Sequence, residues 1–382
     1  MKSLGQYFTT HSVLLNAVKK FVLNDRGVVL EPSCGAGHIV DHLLKNGDKR
    51  AFECIEIDDG IEQLETLKNT DSVRIHSADF LEYQTDKKFS TIVGNPPYVK
   101  RKGKRNLYID FIAKCIDLLE DDGELVFVIP SDFFKLTSAS SVKNQMMEEG
   151  TITHVFHPHD EKFFKNASQD VIVLRYQKGL FTRTTHYNEE TRTLSCHNGN
   201  MFFENGDETT EHLSDLFHIK VGMVSGADKI YKNDDLGNLK VKSYSGTHTY
   251  IYHDELPTQP PSLVEYLNQH KDALIKRGIR KFTETDWFKW GCPRNVGFMK
   301  DHEGEECIYC ATITRKKQVF FKGKVCLFDG SLLCLLPKKQ LDIDKVLAYL
   351  NSETFLESFL YSGRYKMGQK SLLDASIPVI LS

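Results

Sequence analysis

The chain has 382 residues, of which 26% are charged and 40% hydrophobic, and a formal net charge of −3 at neutral pH. This is long enough for two domains, and the balance of residues is that of a soluble globular protein, not a disordered or membrane-embedded one. The slightly acidic total argues against a protein that coats nucleic acid without discrimination, but it permits a local basic face and hence an enzyme that reads a sequence.

The amino-terminal MKSLGQYFTTHS lacks the apolar centre of a signal peptide. Apolar runs such as GVVLEP fall far short of the roughly 20 residues needed to cross a bilayer. No membrane association is expected. Nine cysteines, scattered and odd in number, are expected as reduced thiols in a cytosol-like compartment.

In chain order, GVVLEP (27–32) predicts a strand, and the stretch from His38 to Asn46 has helical spacing. AFECIEID (51–58) predicts a second strand and IEQLETLKN a helix. SVRIHSADF, STIVGNPPY, ELVFVIP and DVIVLRY predict four more strands. Leu107, Phe111, Ile112, Cys115, Leu118 and Leu119 recur at three to four residues, so a helix is expected there, ending at the Asp121-Asp122-Gly123 turn. Such alternation implies a mainly parallel α/β sheet with helices on both faces. From about 179 to 215 the chain becomes polar and turn-rich, which predicts a connecting region. Beyond it aromatic and basic residues interleave, which predicts a second domain, mixed or β-rich, over 216–382.

In an open parallel sheet, ligands bind beyond the carboxyl ends of the strands. The first strand ends in Glu31-Pro32-Ser33-Cys34-Gly35-Ala36-Gly37, whose glycines let backbone approach a ligand at a helix amino terminus. Glu56, about 25 residues on, ends the second strand and suits a pair of ribose hydroxyls. Asp79 and Phe80 follow the third, an acceptor and a ring suited to an adenine. The fourth ends in Asn95-Pro96-Pro97-Tyr98.

The motifs EPSCGAG, IEID, ADF and NPPY, preceded by GQYFTT, resemble the gamma-class, Taq-type N6-adenine DNA methyltransferases. The resemblance spans the first domain in that family's motif order. It implies a Rossmann-like methyltransferase sheet over 1–178 whose last strand is antiparallel, followed by a smaller target-recognition domain. It also implies S-adenosylmethionine as cofactor, held by Thr9, Glu31, Pro32, Ser33, Cys34, Gly35, Glu56, Asp79, Phe80 and Pro97. Thr10 stands where the family usually has proline. Base flipping and direct displacement are implied, with Asn95, Pro96, Tyr98 and Phe164 at the target adenine and Phe163 as a neighbouring alternative to Phe164. An exocyclic amine delocalised into its ring is a poor nucleophile. Acceptors on Asn95 and on the Pro96 carbonyl would hold its two protons and sharpen it, and consecutive prolines would keep both acceptors aimed.

Lys100, Arg101, Lys102, Lys104 and Arg105 follow the motif directly and are expected to hold phosphates beside the flipped nucleotide. Further on, KVGMVSGADKIY and VLAYLNSETFLESFLYSGRYKMGQKSLL more weakly resemble the opening and closing of the family's recognition domains. Lys276, Arg277, Arg280, Lys281, Arg315, Lys316, Lys317, Arg364 and Lys370 could meet DNA there. Cys307-Ile308-Tyr309-Cys310, with Cys292 and Cys326 as further thiols, could suggest zinc, but one CxxC without histidines at ligand spacing favours a plain strand, and no metal is expected.

The expected partner is double-stranded DNA. The enzyme is expected to act as a monomer, and a cognate restriction endonuclease could act separately. Enzymes that methylate a glutamine amide in release factors share the Asn-Pro-Pro-Tyr sequence, but they would carry a helical domain where GQYFTT stands and would end about 200 residues sooner. Ribosomal RNA adenine methylases share GQYF but usually differ at the first motif proline. A non-catalytic DNA-binding protein on the same fold would not need an intact Asn95 to Tyr98 or the acids Glu56 and Asp79.

Overall fold

The computed structural model describes residues 8–100, 105–159, 163, 169–204, 206 and 210–379. The chain divides into two compact units, Met1–Glu208 with Tyr361–Gly363, and Thr209–Leu360 with Arg364–Ser382.

The first unit is built on one sheet of ten strands. They are β1 (Val28–Glu31), β2 (Ala51–Glu56), β3 (Val73–Ser77), β4 (Phe89–Gly94), β5 (Leu119–Pro130), β6 (Gly150–Phe156), β7 (Val171–Lys178), β8 (Thr184–Tyr187), β9 (Glu190–His197) and β10 (Asn200–Glu204). The order across the sheet is β10-β9-β8-β6-β7-β5-β4-β1-β2-β3. Strands β3, β2, β1, β4 and β5 run parallel, with Val28 opposite Ala51, Val29 opposite Thr91 and Ile92 opposite Leu125. Strand β7 is antiparallel to both neighbours, the Rossmann-like methyltransferase arrangement that the motifs implied.

The alternation of side chains along a strand divides the core in two. Leu125, Phe127 and Ile129 of β5 join Leu30 and Ile92 on one face, beneath α4 (Leu107–Leu118) and α5 (Ser140–Glu149). Val126 and Val128 join Val29 and Val93 on the other, beneath α1 (Ser12–Phe21) and α2 (His38–Lys45). The short α3 (Glu65–Lys68) is a single turn, shorter than the predicted helix over IEQLETLKN. Helix α4 ends at Leu118, ahead of the Asp121-Asp122-Gly123 turn, because Leu119 already pairs with Phe89 and the register then slips before Glu124 meets Thr91.

The connecting region expected over 179–215 is corrected by the structure. Residues 184–204 are strands β8, β9 and β10, which extend the sheet beyond β6. Leu194 and Met201 are buried against the main core. Their polar partners alternate outward along short strands, so composition over the segment reads as a loop although its inward positions are apolar.

Carboxylate Glu124, fully buried on β5, ties this face together. It accepts from the backbone N–H of Leu23 (3.1 Å) and Asn24 (3.0 Å), the Thr91 hydroxyl (3.2 Å) and Arg175 Nε on β7 (2.8 Å).

The second unit holds an antiparallel sheet in the order Phe217–Val221, Leu332–Pro337, Glu306–Ala311, Phe320–Lys324. Beside it are a hairpin (Leu239–Ser243 with Gly246–Tyr250) and short helices. Its core is aromatic, with Tyr231, Tyr250, Trp287, Trp290 and Tyr309 all buried. Cys307 and Cys310 lie on the strand Glu306–Ala311. Three positions apart on a strand, they face opposite ways and cannot share an ion. Among the described residues, no helix is long and apolar enough to cross a membrane.

Arg175→Met should cost about 3–5 kcal/mol, because it leaves the Glu124 carboxylate buried without its counter-charge. Urea denaturation measures it, and a loss under about 1 kcal/mol would show that the Leu23 and Asn24 backbone donors hold Glu124 unaided.

Candidate functional site

Strands β1, β2, β3 and β4 are parallel neighbours, so their carboxyl ends lie along one edge of the sheet. From β1 the chain winds outward through β2 to β3, then returns to place β4 on the other side of β1, which opens a crevice at that edge. A single pocket there is lined by Phe8, Thr9, Glu31, Pro32, Ser33, Cys34, Gly35, His38, Ile39, Glu56, Ile57, Ala78, Asp79, Phe80, Leu81, Asn95, Pro97, Leu107 and Phe111. All ten residues expected at a cofactor therefore meet in one place, together with Asn95.

The loop after β1 is held closely. Gly35 has φ +55°, and a Cβ on it would stand 2.8 Å from the Phe8 ring, while Gly37 has φ +90° and its Cβ would meet Leu67 at 2.1 Å. Glu56, 8% exposed, accepts from the backbone N–H of Gly35 (2.7 Å) through one carboxylate oxygen and from that of Asp58 (2.9 Å) through the other. It thereby fastens the β1 and β2 loops to each other. Cys34 donates its backbone N–H to the Ile55 carbonyl, and Gln63 Nε2 donates to the Gly35 carbonyl. A hydrogen bond to the Cys54 thiol, with burial, pushes the Cys34 thiol up, which keeps it protonated.

Asp79 accepts from the Leu81 N–H (2.9 Å), which turns the chain after β3. Phe80 is 2% exposed and its ring packs on Phe111 with centroids 5.0 Å apart. The Lys114 ammonium on α4 donates to the carbonyls of Phe80, Leu81 and Tyr83, locking that turn beneath the helix. Phe80, Phe111, Leu107 and Ile57 give the pocket its apolar walls.

Glu31 is unlike the other acids. It is 2% exposed, and its Oε2 is buried with no hydrogen-bond partner among the described residues. Burial pushes its carboxyl well above the usual range, with Cys34 and Glu56 adding to the effect. His38, on the same rim, is pushed down by burial and is neutral at physiological pH.

Asn95 stands between the pocket and the rest of its motif. Its Nδ2 donates to the Thr9 hydroxyl (2.9 Å) and its Oδ1 accepts from the Tyr98 hydroxyl (2.5 Å), which also lies 3.0 Å from the Val128 carbonyl. The Tyr98 ring is half-buried, edge-on to Tyr108. Pro96 is buried, and among the described residues no donor reaches its carbonyl oxygen.

Phe164, Arg101, Lys102 and Lys104 lie outside the described residues. Phe163 is 8% exposed and packs edge-on against His11 in the core. Lys100 is exposed, but the Arg105 guanidinium is engaged by Asp110 (2.5 Å) and Ser141 (3.3 Å). In the second unit Arg277 is corrected from a possible DNA contact to a structural residue. It is 8% exposed, donates to the carbonyls of Leu274, Ser225, Trp287 and Lys289, and covers the Phe282 ring. Arg280 is paired with Asp286, while Lys276, Lys281, Arg315 and Lys316 are exposed.

Sequence reasoning missed Phe8, His38, Ile57, Leu107 and Phe111 as lining residues. Phe8 and Ile57 stand inside the motifs GQYFTT and IEID, and His38 directly follows EPSCGAG, so position offered a signal. Leu107 and Phe111 read only as the core stripe of a helix.

Residues 36–164 match the Eco57I restriction-modification methylase family. The Type II methyltransferase M.HindII of Haemophilus influenzae is 23% identical, over 95% of this chain and 86% of that one. The modification methylase CviBIII of Paramecium bursaria Chlorella virus NC1A is 35% identical over 33% of this chain and 38% of its own. Among solved structures, the M protein of the type I restriction enzyme EcoKI is 18% identical over 46% of this chain and 44% of its own, with a TM-score of 0.36.

S-adenosylmethionine is the cofactor of such a methylase domain, and the pocket suits it. The orphaned Glu31 oxygen is an acceptor for an ammonium group, Glu56 and Asp79 are further acceptors, and the apolar walls suit a flat heterocycle.

Between the ordinary carboxyl value of 4.5 and the raised value in the fold, the folded protein keeps a proton on Glu31 that the unfolded chain has released. Stability contributed here therefore falls as pH rises through that window. Glu31→Gln should flatten that fall and leave the unliganded protein more stable than wild type above it. Melting temperatures of both proteins across pH check this, and parallel curves would show that Glu31 ionises without penalty.

Proposed function

We propose that this chain, whose residues 36–164 are a restriction-modification methylase domain of the Eco57I type, methylates adenine at N6 within a specific sequence of double-stranded DNA. The observation that carries the reading is Asn95. Its amide borders the same pocket as Glu31, Glu56 and Asp79 and sits at the head of an Asn-Pro-Pro-Tyr turn.

S-adenosylmethionine, when bound, supplies a methyl group already activated on a sulfonium. The residues around it would do the rest. Glu31 would receive the ammonium of the methionine part, Glu56 the ribose hydroxyls and Asp79 the adenine amine, with Phe80 at the ring; Thr9 and the backbone of Pro32 to Gly35 would complete the cradle beside Pro97. Asn95 Oδ1 and the Pro96 carbonyl would each accept one proton of the target amine, which bends it toward a tetrahedral nucleophile. Direct displacement would form the bond from N6 to the methyl carbon as its bond to sulfur breaks, with S-adenosylhomocysteine leaving and the surplus N6 proton passing to solvent; no enzyme-bound intermediate is needed, and the protonated Cys34 thiol is in keeping with that.

An adenine stacked within a duplex cannot bring N6 to a pocket at the sheet edge, so the base would be flipped out and gripped by Tyr98 and Phe164. Lys100 and the basic run Arg101, Lys102, Lys104 would hold phosphates nearby, with Arg105 committed instead to Asp110. The second unit would read the sequence through its exposed cations, among them Arg315 and Lys316. Action as a cytoplasmic monomer, with any cognate restriction endonuclease separate, completes the proposal.

Long-read sequencing of DNA from cells making the protein, with nucleoside analysis, should show N6-methyladenine in one sequence context. Methyl groups on cytosine N4, on RNA or on a protein amide would overturn the reading. Asn95→Ala should lower turnover by about 100-fold or more, as loss of a transition-state hydrogen bond does elsewhere, while leaving cofactor affinity nearly intact. Glu31→Gln should do the reverse, weakening cofactor binding by about 1.5–3 kcal/mol through loss of a charge-assisted contact. Calorimetry with S-adenosylhomocysteine reads that loss, and equal affinity would mean that the ammonium is held elsewhere.

A further inference from the structure

Leu107, Phe111 and Lys114 stand at i, i+4 and i+7 on α4 and so share one face of that helix. Leu107 and Phe111 line the pocket, whereas Lys114 does not. The Lys114 side chain instead reaches the turn that follows β3, the turn that brings Asp79 and Phe80 to the pocket wall.

Three carbonyl oxygens of that turn converge on the one ammonium. Lys114 Nζ lies 2.6 Å from the Phe80 carbonyl oxygen and 3.2 Å from that of Leu81, donates to that of Tyr83 as well, and stands 4.9 Å from the centre of the Phe80 ring. Carbonyl dipoles aimed at one point repel one another unless a cation sits there, and the three protons of an ammonium match three acceptors. Inside the turn, the Asp79 carbonyl accepts from the backbone N–H of Glu82 (3.0 Å) and Tyr83 (2.8 Å), while its side chain accepts from that of Leu81 (2.9 Å). The turn that sets Asp79 in place is therefore the one that gathers the three carbonyls, and the Lys114 charge is what makes that gathering favourable.

We propose that Lys114 is a positioning residue that gives the pocket its preference for an adenine amine, by fixing the turn from which Asp79 would receive that amine. The inference rests on the proposed reading of Asp79 and deepens it. Without the ammonium, the three carbonyls turn away from one another and the Asp79 carboxylate loses its aim. Glu31 and Glu56 belong to other loops, and Glu56 is fastened by the N–H groups of Gly35 and Asp58. Their part of the cradle stays as it is, so the loss is confined to recognition of the amine.

The experiment is calorimetry with two ligands, S-adenosylhomocysteine and its analogue with hydrogen in place of the adenine amine. Wild type should bind the first about tenfold more tightly, the worth of a hydrogen bond to a charged group. Lys114→Met keeps the stem and removes the ammonium, so the ratio should fall to about one, through weaker binding of S-adenosylhomocysteine. Lys114→Gln keeps an amide donor on a shorter stem and should give about threefold, and it decides the matter should Lys114→Met fail to fold. A residue that only stabilised the fold would weaken both ligands alike. A tenfold ratio surviving in either variant therefore overturns the proposal, whatever the melting temperature. Equal binding of the two ligands by wild type overturns the reading of Asp79 and the proposal with it, so the two failures are told apart by which protein shows them.

Discussion

Everything at the candidate site depends on one feature of the sheet, the change of direction between β1 and β4. Helix α2 carries the chain from β1 outward to β2, and the return to β4 on the opposite side leaves the β1 and β4 loops without a helix packed between them. Had the strands been laid down in simple succession, α2 and α4 would cover the same face and close that gap. Because they lie on opposite faces, Glu31 at the end of β1 and Asn95 just after β4 open into one crevice.

The loops that form the crevice are held by polar contacts that are already complete, so little reorganisation is left for a ligand to drive. Glu56 bridges two loops through backbone N–H groups, Lys114 caps the third with three carbonyls, and Thr9 and Tyr98 clasp the Asn95 amide from either side. Against this background the unpaired oxygen of Glu31 is conspicuous. A buried acceptor without a donor typically costs about 1–3 kcal/mol. Under the proposed reading, the ammonium of the cofactor would relieve that cost at Glu31, which would turn a local destabilisation into affinity.

The second unit shows how poorly a basic residue in a sequence predicts a basic surface. Arg277 and Arg280 come from the same short run, KRGIRK. One is spent entirely on backbone carbonyls inside an aromatic core, the other on Asp286. Guanidinium groups offer five donors in a fixed fork, and loops rich in unpaired carbonyls recruit them for that reason. Lysines nearby, with a flexible stem and a strongly hydrated head, remain outside.

The sequence alone determined the α/β alternation and the motif order at the strand ends, because these depend on local periodicity and on short runs of residues, and the family resemblance carried by those motifs named the ten pocket residues. Strand β6 and the β8 to β10 extension were illegible. Strand β6 pairs with segments farther along the chain, but β8, β9 and β10 are successive hairpins whose Asn198-Gly199 turn is a local signal, masked there by the polar residues on the outward positions. Tertiary structure also decided which charges are available. Glu31 and Glu56 are both strand-end acids in sequence, yet one leaves a carboxylate oxygen without a partner and the other has both oxygens engaged, because only the folded loops determine which backbone N–H groups come within reach. The same holds for Asn95. Its place in the motif was plain, but the hydroxyls of Thr9 and Tyr98 that orient it are brought there by a sheet edge and a preceding segment, and only the folded chain puts them within hydrogen-bond distance.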